Sequence, residues 1–167
     1  MHHIFKLSVL FTLMFVIPAT FIQGKATPNN FFDKASFYAA MAGSSAEDVN
    51  IILAILKESS IPEKTAYEGA LLMKKAGLLT KAKDKISFFR SGRTKLETAI
   101  KNDDGNIEYH FLRLIIQENS PNIAKYKKDL KTDAQLVRTS FKKLSPVIQQ
   151  AVKEYSKKSN ILNPADF

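Results

Sequence analysis

The chain contains no cysteine, and its 167 residues include only six glycines and six prolines. Without cysteine the protein can form no disulfide and offers no thiol for a lipid anchor. Hydrophobic residues make up 45% of the chain, which together with the scarcity of glycine and proline is typical of a folded domain and disfavours disorder. A chain of this length has room for one domain with a hydrophobic core.

The few glycines form no motif that binds nucleotides or supports nucleophilic catalysis. None of them falls in a Gly-x-Gly-x-x-Gly pattern or a phosphate-binding loop, and no Gly-x-Ser-x-Gly elbow is present. The glycine-aromatic signature of single-strand binders is also missing, so nucleic acid is not an expected partner. We therefore predict a protein that is not an enzyme, with no catalytic residues and no cofactor.

Candidate metal ligands are equally few. His110 is the only histidine after residue 26, and no His-x-x-x-His or Glu-x-x-His pair surrounds it. Asp103 and Asp104 offer too few oxygens for a calcium loop, and acids before a helix are explained by the positive end of its dipole. We expect no metal site, and a structural or surface role for His110.

The first 26 residues predict a signal peptide. The apolar run Leu7–Ile17, ended by Pro18, has the length of a signal-peptide core and is short for a membrane-spanning helix. Small residues allow cleavage after Ala26 or after Gly24. An uncleaved amphipathic or membrane anchor is the alternative, but no stop-transfer segment follows. We expect an exported protein, periplasmic or secreted, in which residues 27–30 form a linker.

The chain is basic before and after that cleavage. Removing residues 1–26 takes away Lys6 and Lys25 and no acid, so the formal net charge falls from +9 to +7. This charge favours weak contact with an anionic membrane surface, although dispersed lysines also serve simply to keep a domain soluble. The basic faces contain Lys127, Lys128, Lys131, Lys142, Lys143, Lys153, Lys157 and Lys158.

Helical periodicity dominates the rest of the chain. Alternating stretches of β-branched residues, which mark strands, are absent. Helix caps recur instead at short intervals, which predicts an all-α bundle or array of about seven antiparallel helices in a single domain at 31–162, with a tail at 163–167. Residues 78–87 lose the periodicity and predict a loop or a short turn of helix, so helix four is expected to begin at Phe88. The other predicted starts are Phe31, Ser45, Pro62, Asn106, Ile123, Thr132 and Ser145.

The stretch 106–118 predicts a central helix that its neighbours bury. Its apolar residues fall on almost every side of a 3.6-residue helix, so it must be covered all round. Asn106 can cap its start, and Asn119-Ser120-Pro121 ends it. The apolar residues are Ile107, Tyr109, Phe111, Leu112, Leu114, Ile115 and Ile116.

Arg113 is the one cation in the middle of that helix, and we expect a carboxylate to meet its guanidinium. Arg113 and Gln117 are four residues apart and share a helix face, so they could present a fork to a carboxylate or phosphate of a ligand. A buried ion pair with Glu68, Glu97 or Asp129 is the favoured interpretation. If Arg113→Met melts like the wild type, that structural interpretation is lost.

Two resemblances follow from these motifs. The segment from Gly92 to the turn Asp103-Asp104-Gly105-Asn106 is similar to the second helix and closing turn of a tetratricopeptide repeat, with Tyr67 and Gly69 at its aromatic and small positions. More broadly, the chain from Pro62 to Leu162 resembles a family of small, uncharacterised exported all-α proteins of Bacteroidota-type bacteria. This resemblance implies export and an all-α fold, and it implies no activity.

Two functions are consistent with these observations. The first is a non-enzymatic scaffold in the cell envelope that binds a protein or peptide on a helical surface. The alternative is a small ligand or lipid carrier, or an accessory subunit of an envelope enzyme, in which aromatic helices enclose an apolar pocket. A cavity lined by Phe31, Phe37 and Phe88 would favour the carrier.

Overall fold

The computed structural model describes residues 31–167, so the predicted signal peptide and linker lie outside the described residues. Between residues 31 and 167 the chain forms seven α-helices and no strand, which confirms the predicted all-α fold. The helices are α1 Lys34–Ala42, α2 Ala46–Glu58, α3 Lys64–Leu78, α4 Ala82–Asn102, α5 Ile107–Asn119, α6 Leu130–Ser140 and α7 Pro146–Ser156. Short 3₁₀ helices lie at Asn122–Ala124, Phe141–Lys143 and Pro164–Asp166.

The first two helices begin at side-chain caps. Asp33 caps α1, because its carboxylate accepts hydrogen bonds from the Ser36 amide at 2.8 Å and from the Ser36 hydroxyl at 2.7 Å. These bonds lower the pKa of Asp33. The helix therefore begins three residues after the predicted Phe31. Ser45 caps α2 as predicted, with its hydroxyl accepting from the Asp48 amide at 3.1 Å.

Helices α3 and α4 form a tight antiparallel hairpin whose closest point is made by two glycines. A Cβ on Gly69 would lie 2.6 Å from the Leu96 nitrogen and 2.8 Å from the Gly92 oxygen. A Cβ on Gly92 would lie 2.5 Å from the Gly69 oxygen. Because both neighbours are backbone atoms, only glycine at these positions allows the two helices to approach so closely.

The predicted loop or short helical turn at 78–87 is instead mostly the start of α4, because α4 begins at Ala82 rather than at Phe88. From Ala82 to Ser91 no residue of this helix is buried. Apolar periodicity shows which side of a helix is covered, and the segment of α4 from Ala82 to Ser87 has no buried side. The predicted third helix is also shifted, since Pro62 lies in the turn before α3 and α3 continues one residue past Gly77.

The chain between α5 and α6 is less regular than predicted. Ile123 belongs to a 3₁₀ turn, and Lys125 then adopts a left-handed conformation with φ of 47°, so no α-helix joins Ile123 to Leu130. Tyr126 is nevertheless buried, which is why its spacing imitated a helical face. Thr132 does not cap α6, which already begins at Leu130. In contrast, α7 begins at Pro146 after Ser145, as predicted.

Helix α5 is buried over almost its whole length. All ten residues from Glu108 to Gln117 are buried. Neighbouring helices pack against it: the Tyr38 ring of α1 lies 6.0 Å from the Phe111 ring, and the Tyr155 ring of α7 lies 5.9 Å from it. Each fully buried Phe or Leu side chain contributes about 1.5–3 kcal/mol. The core of the domain is therefore built around α5.

The C-terminal tail is attached to the rest of the domain. The Arg138 guanidinium of α6 donates to the Asp166 carboxylate at 2.8 Å, and the Phe167 ring lies 4.9 Å from the Phe141 ring. Asn163 and Asp166 form a reciprocal capping box on the last 3₁₀ turn. The tail is thus an ordered turn that packs against α6.

Candidate functional site

Arg113 lies inside α5 and is surrounded by acids from two other helices. Its guanidinium makes a bidentate contact with Asp133 of α6, from Nε to Oδ2 at 2.7 Å and from Nη2 to Oδ1 at 2.8 Å. Its Nη1 donates to Glu97 of α4 at 3.1 Å and lies 3.7 Å from the Asp129 carboxylate. Bidentate pairs of this kind are among the strongest hydrogen bonds in proteins. The guanidinium thereby ties α5 to both α4 and α6.

His110 belongs to the same cluster, one helical turn before Arg113. Its Nδ1 lies 2.8 Å from Asp133 Oδ1, and its Nε2 lies 2.7 Å from the backbone oxygen of Asp104. A carbonyl oxygen and a carboxylate both accept hydrogen bonds, so the ring satisfies both partners only as the doubly protonated imidazolium. The bond to Asp133 accordingly raises the pKa of His110, although burial opposes the charge.

The charges in this cluster support one another. Burial would raise the pKa of Asp133, but the hydrogen bonds from Arg113 and His110 outweigh it and lower that pKa. Burial likewise opposes the charge on Arg113, and the Asp133 carboxylate overcomes it, so the Arg113 pKa rises. Each of the three guanidinium nitrogens, Nε, Nη1 and Nη2, donates to an internal carboxylate. The cluster consequently directs the charge of Arg113 to acids of its own domain.

The sequence-predicted site residues separate into two groups. Glu97 and Asp129 reach Arg113, whereas Glu68 pairs with Lys95 of α4 at 2.8 Å. Gln117 is fully buried, and its amide nitrogen lies 3.4 Å from an oxygen of Asp129. Its side-chain oxygen has no hydrogen-bond partner in residues 31–167. Arg113 and Gln117 therefore face a shared internal acid and not the surface.

Asp133, the strongest partner of Arg113, was missed in the sequence. It lies on the same face of α6 as Leu130, Ala134 and Val137, three, one and four residues away. An acid on an otherwise apolar helical stripe was the signal, because such a charge needs an internal partner. Arg113 on α5 is that partner.

A second buried acid, Glu108, also escaped prediction. Its Oε1 accepts the hydroxyl protons of Tyr38 and Tyr67, both at 2.8 Å, and its Oε2 lies 3.0 Å from the Lys34 ammonium. Burial and then the Glu108 charge raise the pKa of both tyrosines. Glu108 thus joins α1 and α3 to the start of α5.

A wide groove opens on the side of the domain where α7 faces the hairpin of α3 and α4. Its cavity volume is about 1510 Å³. The end of α3 and the exposed start of α4 form one wall, α7 forms the other, and α1 and α5 form the floor. The floor includes Ala39, Phe111, Ile115 and Ile116, and the wall of α3 and α4 adds Met73 and Phe89. None of Phe31, Phe37 and Phe88 lines it.

Exposed apolar side chains are concentrated in the groove. Among residues 31–167 five large hydrophobic side chains are exposed, and three of them line the groove: Ile86 at 53%, Ile123 at 89% and Val147 at 40%. Gly77 adds open space, since a Cβ placed there would have no heavy atom within 4 Å. Contiguous exposed apolar surface is typical of a binding site, whereas scattered single residues are not.

The groove also carries charge of mainly one sign. Five cations line it, namely Lys74, Lys85, Arg90, Arg93 and Lys158, and the only acid in its lining is Glu154. That acid is already held by Lys157 at 2.7 Å. The Arg93 guanidinium lies over the Tyr126 ring, 4.7 Å from its centroid. An apolar floor with a basic rim is suited to an amphiphile of negative charge.

No protein-family model, curated protein or solved structure matches the chain. In the part of the chain from residue 31 onward, no group of three or more potential ligands is arranged to hold a metal ion. Over the same residues, no helix is both long enough and apolar enough to cross a membrane. The groove and the polar clusters of α5 are thus the features on which a function can be argued.

Proposed function

We propose that this domain is a non-enzymatic, exported peptide-binding scaffold of the cell envelope, and that its groove takes one amphipathic helix of a partner protein. The observation that carries the proposal is the groove between α7 and the α3–α4 hairpin, with its apolar floor and three exposed hydrophobic side chains. Grooves between helices commonly bind the apolar face of a further helix.

The size of the groove fits a helix. A helix about 10 Å across has a cross-section of roughly 80 Å², so a volume near 1510 Å³ equals roughly 19 Å of helix, or about three to four turns. Exposed Ile86 on one wall and exposed Val147 on the other would both contact such a helix.

A lipid or small-ligand carrier is less well supported. Pockets for small ligands measure about 300–1,000 Å³ and enclose most of the ligand surface. This groove is larger and only partly enclosed, so a single acyl chain would leave part of the apolar floor exposed to water. The accessory-subunit alternative is a form of the same proposal, because it requires the groove or another surface to contact a protein.

The polar clusters support a role other than catalysis. Arg113, His110 and Glu108 are buried, and their hydrogen-bonding groups face other side chains or the backbone. A catalytic acid or base must reach a substrate, and these groups are already engaged inside the helix bundle. Their common effect is to fix the helices that form the floor of the groove.

The experiment uses helical peptides of about 16 residues with one leucine-rich face, made in acidic, neutral and basic versions. Fluorescence anisotropy measures their binding to the wild type, to Ile86→Asn and to Ile51→Asn. Ile51 is a matched control, because its side chain is 46% exposed on α2 and does not line the groove. We expect at least one peptide to bind, with a loss of about tenfold for Ile86→Asn and none for Ile51→Asn.

Two outcomes contradict the proposal. If no peptide binds, or if Ile86→Asn and Ile51→Asn weaken binding equally, the groove is not a helix site. If instead a fluorescent fatty acid binds with one-to-one stoichiometry and Ile86→Asn abolishes that binding, the carrier alternative replaces the scaffold.

A further inference from the structure

The cations of the groove have no acidic partners within the described part of the chain. No carboxylate of residues 31–167 lies within 4 Å of the side-chain nitrogens of Lys74, Lys85, Arg90, Arg93 or Lys158. In the interior of the same domain, by contrast, Arg113 alone is in contact with several acids. The groove therefore presents positive charge that its own surroundings do not neutralise.

Lys74 and Lys158 are the most informative of these residues. Lys74 lies near the end of α3 on one wall, and Lys158 follows α7 on the other. Lys74 is partly buried, and the ammonium of Lys158 lies 5.7 Å from the centre of the Tyr155 ring. Burial lowers the pKa of Lys74, and the positive charge of Lys158 lowers it further. Lys74 and Lys158 thus bring positive charge to one groove from two different helical segments.

Uncompensated positive charge in the groove is costly unless an anion lies beside it. Like charges repel each other, and the repulsion grows where a side chain is partly removed from water, as Lys74 is. A carboxylate bound in the groove would replace this repulsion by attraction.

We infer that the helix bound in the groove is acidic, and that its carboxylates pair with cations of the rim, among them Lys74 and Lys158, while the apolar face of the helix covers the floor. This inference rests on the proposed function. The remaining rim cations Lys85, Arg90 and Arg93 lie along α4 and would contact further acids on the polar edges of the same helix.

The charge of the groove also argues against one internal occupant. The apolar segment at 1–26 contains Lys6 and Lys25 and no acid. A basic segment would meet repulsion from every cation of the rim, and it could offer Lys74 and Lys158 no carboxylate. A partner with acidic residues fits the groove better than the start of this chain does.

The test compares two helical peptides that differ only at their charged positions, one with glutamates and one with glutamines, against the wild type and Lys74→Gln/Lys158→Gln. We expect the wild type to bind the glutamate peptide at least tenfold more tightly, and the double variant to lose most of that preference while its affinity for the glutamine peptide stays unchanged. Added salt should weaken the binding of the glutamate peptide and leave that of the glutamine peptide unchanged. Lys142→Gln/Lys143→Gln is the control, because both lysines are exposed and neither lines the groove.

The outcomes separate the two proposals. If both peptides bind equally and Ile86→Asn still weakens them, the groove binds helices but the acidic partner is wrong. If neither peptide binds, the proposed function itself fails. A third arm measures sedimentation with phosphatidylglycerol vesicles: binding to vesicles that the double variant abolishes, without peptide binding, would identify an anionic lipid surface as the ligand and overturn the inference.

Discussion

The interior of this domain and its groove differ in whether their cations have acidic partners. Around α5, Arg113 and His110 are each matched by carboxylates or a backbone carbonyl. In the groove, Lys74 and Lys158 line the same cavity, and no carboxylate of residues 31–167 lies within 4 Å of either ammonium group. The difference separates a structural role from a binding role. Charges that stabilise the fold are paired with opposite charges inside the domain, and charges that bind a partner have no such pair within the described residues.

The largest expected effect on stability comes from disrupting the inner cluster, which consists of Arg113, His110 and Asp133. Arg113→Met leaves Asp133 buried without its main partner, and we expect the free energy of unfolding to fall by about 3–5 kcal/mol. Urea denaturation followed by circular dichroism measures the change. Arg113→Met/Asp133→Leu is the matched control, because removing both charges should restore much of the loss. Equal stability of Arg113→Met and the wild type would disprove a structural role for the pair.

The next effect concerns the hairpin that forms one wall of the groove. Gly69→Ala places a Cβ against the backbone of α4 and should destabilise the protein by about 1–3 kcal/mol or more. Gly77→Ala in the same helix meets only open space, so it should stabilise the protein by about 0.5–1 kcal/mol. Thermal melting of the two variants tests the contrast. Similar shifts for both would show that the close contact of α3 and α4 does not contribute.

A smaller effect should appear in the pH dependence of stability. The pKa of His110 is raised in the folded protein. Protonated His110 therefore contributes its full stabilisation below the pKa of the unfolded state, near 6.5, and this stabilisation is lost as the pH rises through the pKa of the folded state. His110→Gln should lower stability in mildly acidic buffer, by an amount on the order of 1 kcal/mol, and less at alkaline pH. Urea titrations across this range measure the difference, and parallel curves for the two proteins would contradict it.

The smallest effect is expected in the groove itself. Lys74→Gln/Lys158→Gln removes two like charges and no ion pair within the described residues, so the free energy of unfolding should stay within about 0.5 kcal/mol of the wild type or rise slightly. The same variant should lose the preference for acidic helices described above. A large loss of stability would show that these lysines have a structural role, as Arg113 does, and would contradict the contrast between the interior and the groove.

The amino-acid sequence predicted the helices where burial and local chemistry agree. Helix α5 was found because its apolar residues occupy nearly every side, and α7 because Ser145 and Pro146 form a start signal. The start of α4 was missed, because an uncovered helix leaves no apolar period in the sequence. Thr132 was wrongly predicted to cap a helix. Its hydroxyl is suited to a cap, but α6 already begins at Leu130.

The site was predictable only in part. That Arg113 needs a carboxylate follows from one charge in an apolar helix, and Glu97 was among the named candidates. The choice of Asp133 over Glu68 depends on α6 lying beside α5, which is a contact between distant parts of the chain. The groove depends on still more helices, and its lining residues are scattered from Ala35 to Lys158.

By itself, the sequence determined an all-α fold with a buried α5, because helical periodicity and capping are local properties of neighbouring residues. Tertiary structure alone decided which acid meets Arg113, that Gly69 and Gly92 touch, and that Lys74 and Lys158 line one groove. The physical reason is distance along the chain: hydrogen bonds, close packing and electrostatic repulsion act over a few ångströms in space, and only folding brings such residues within that range.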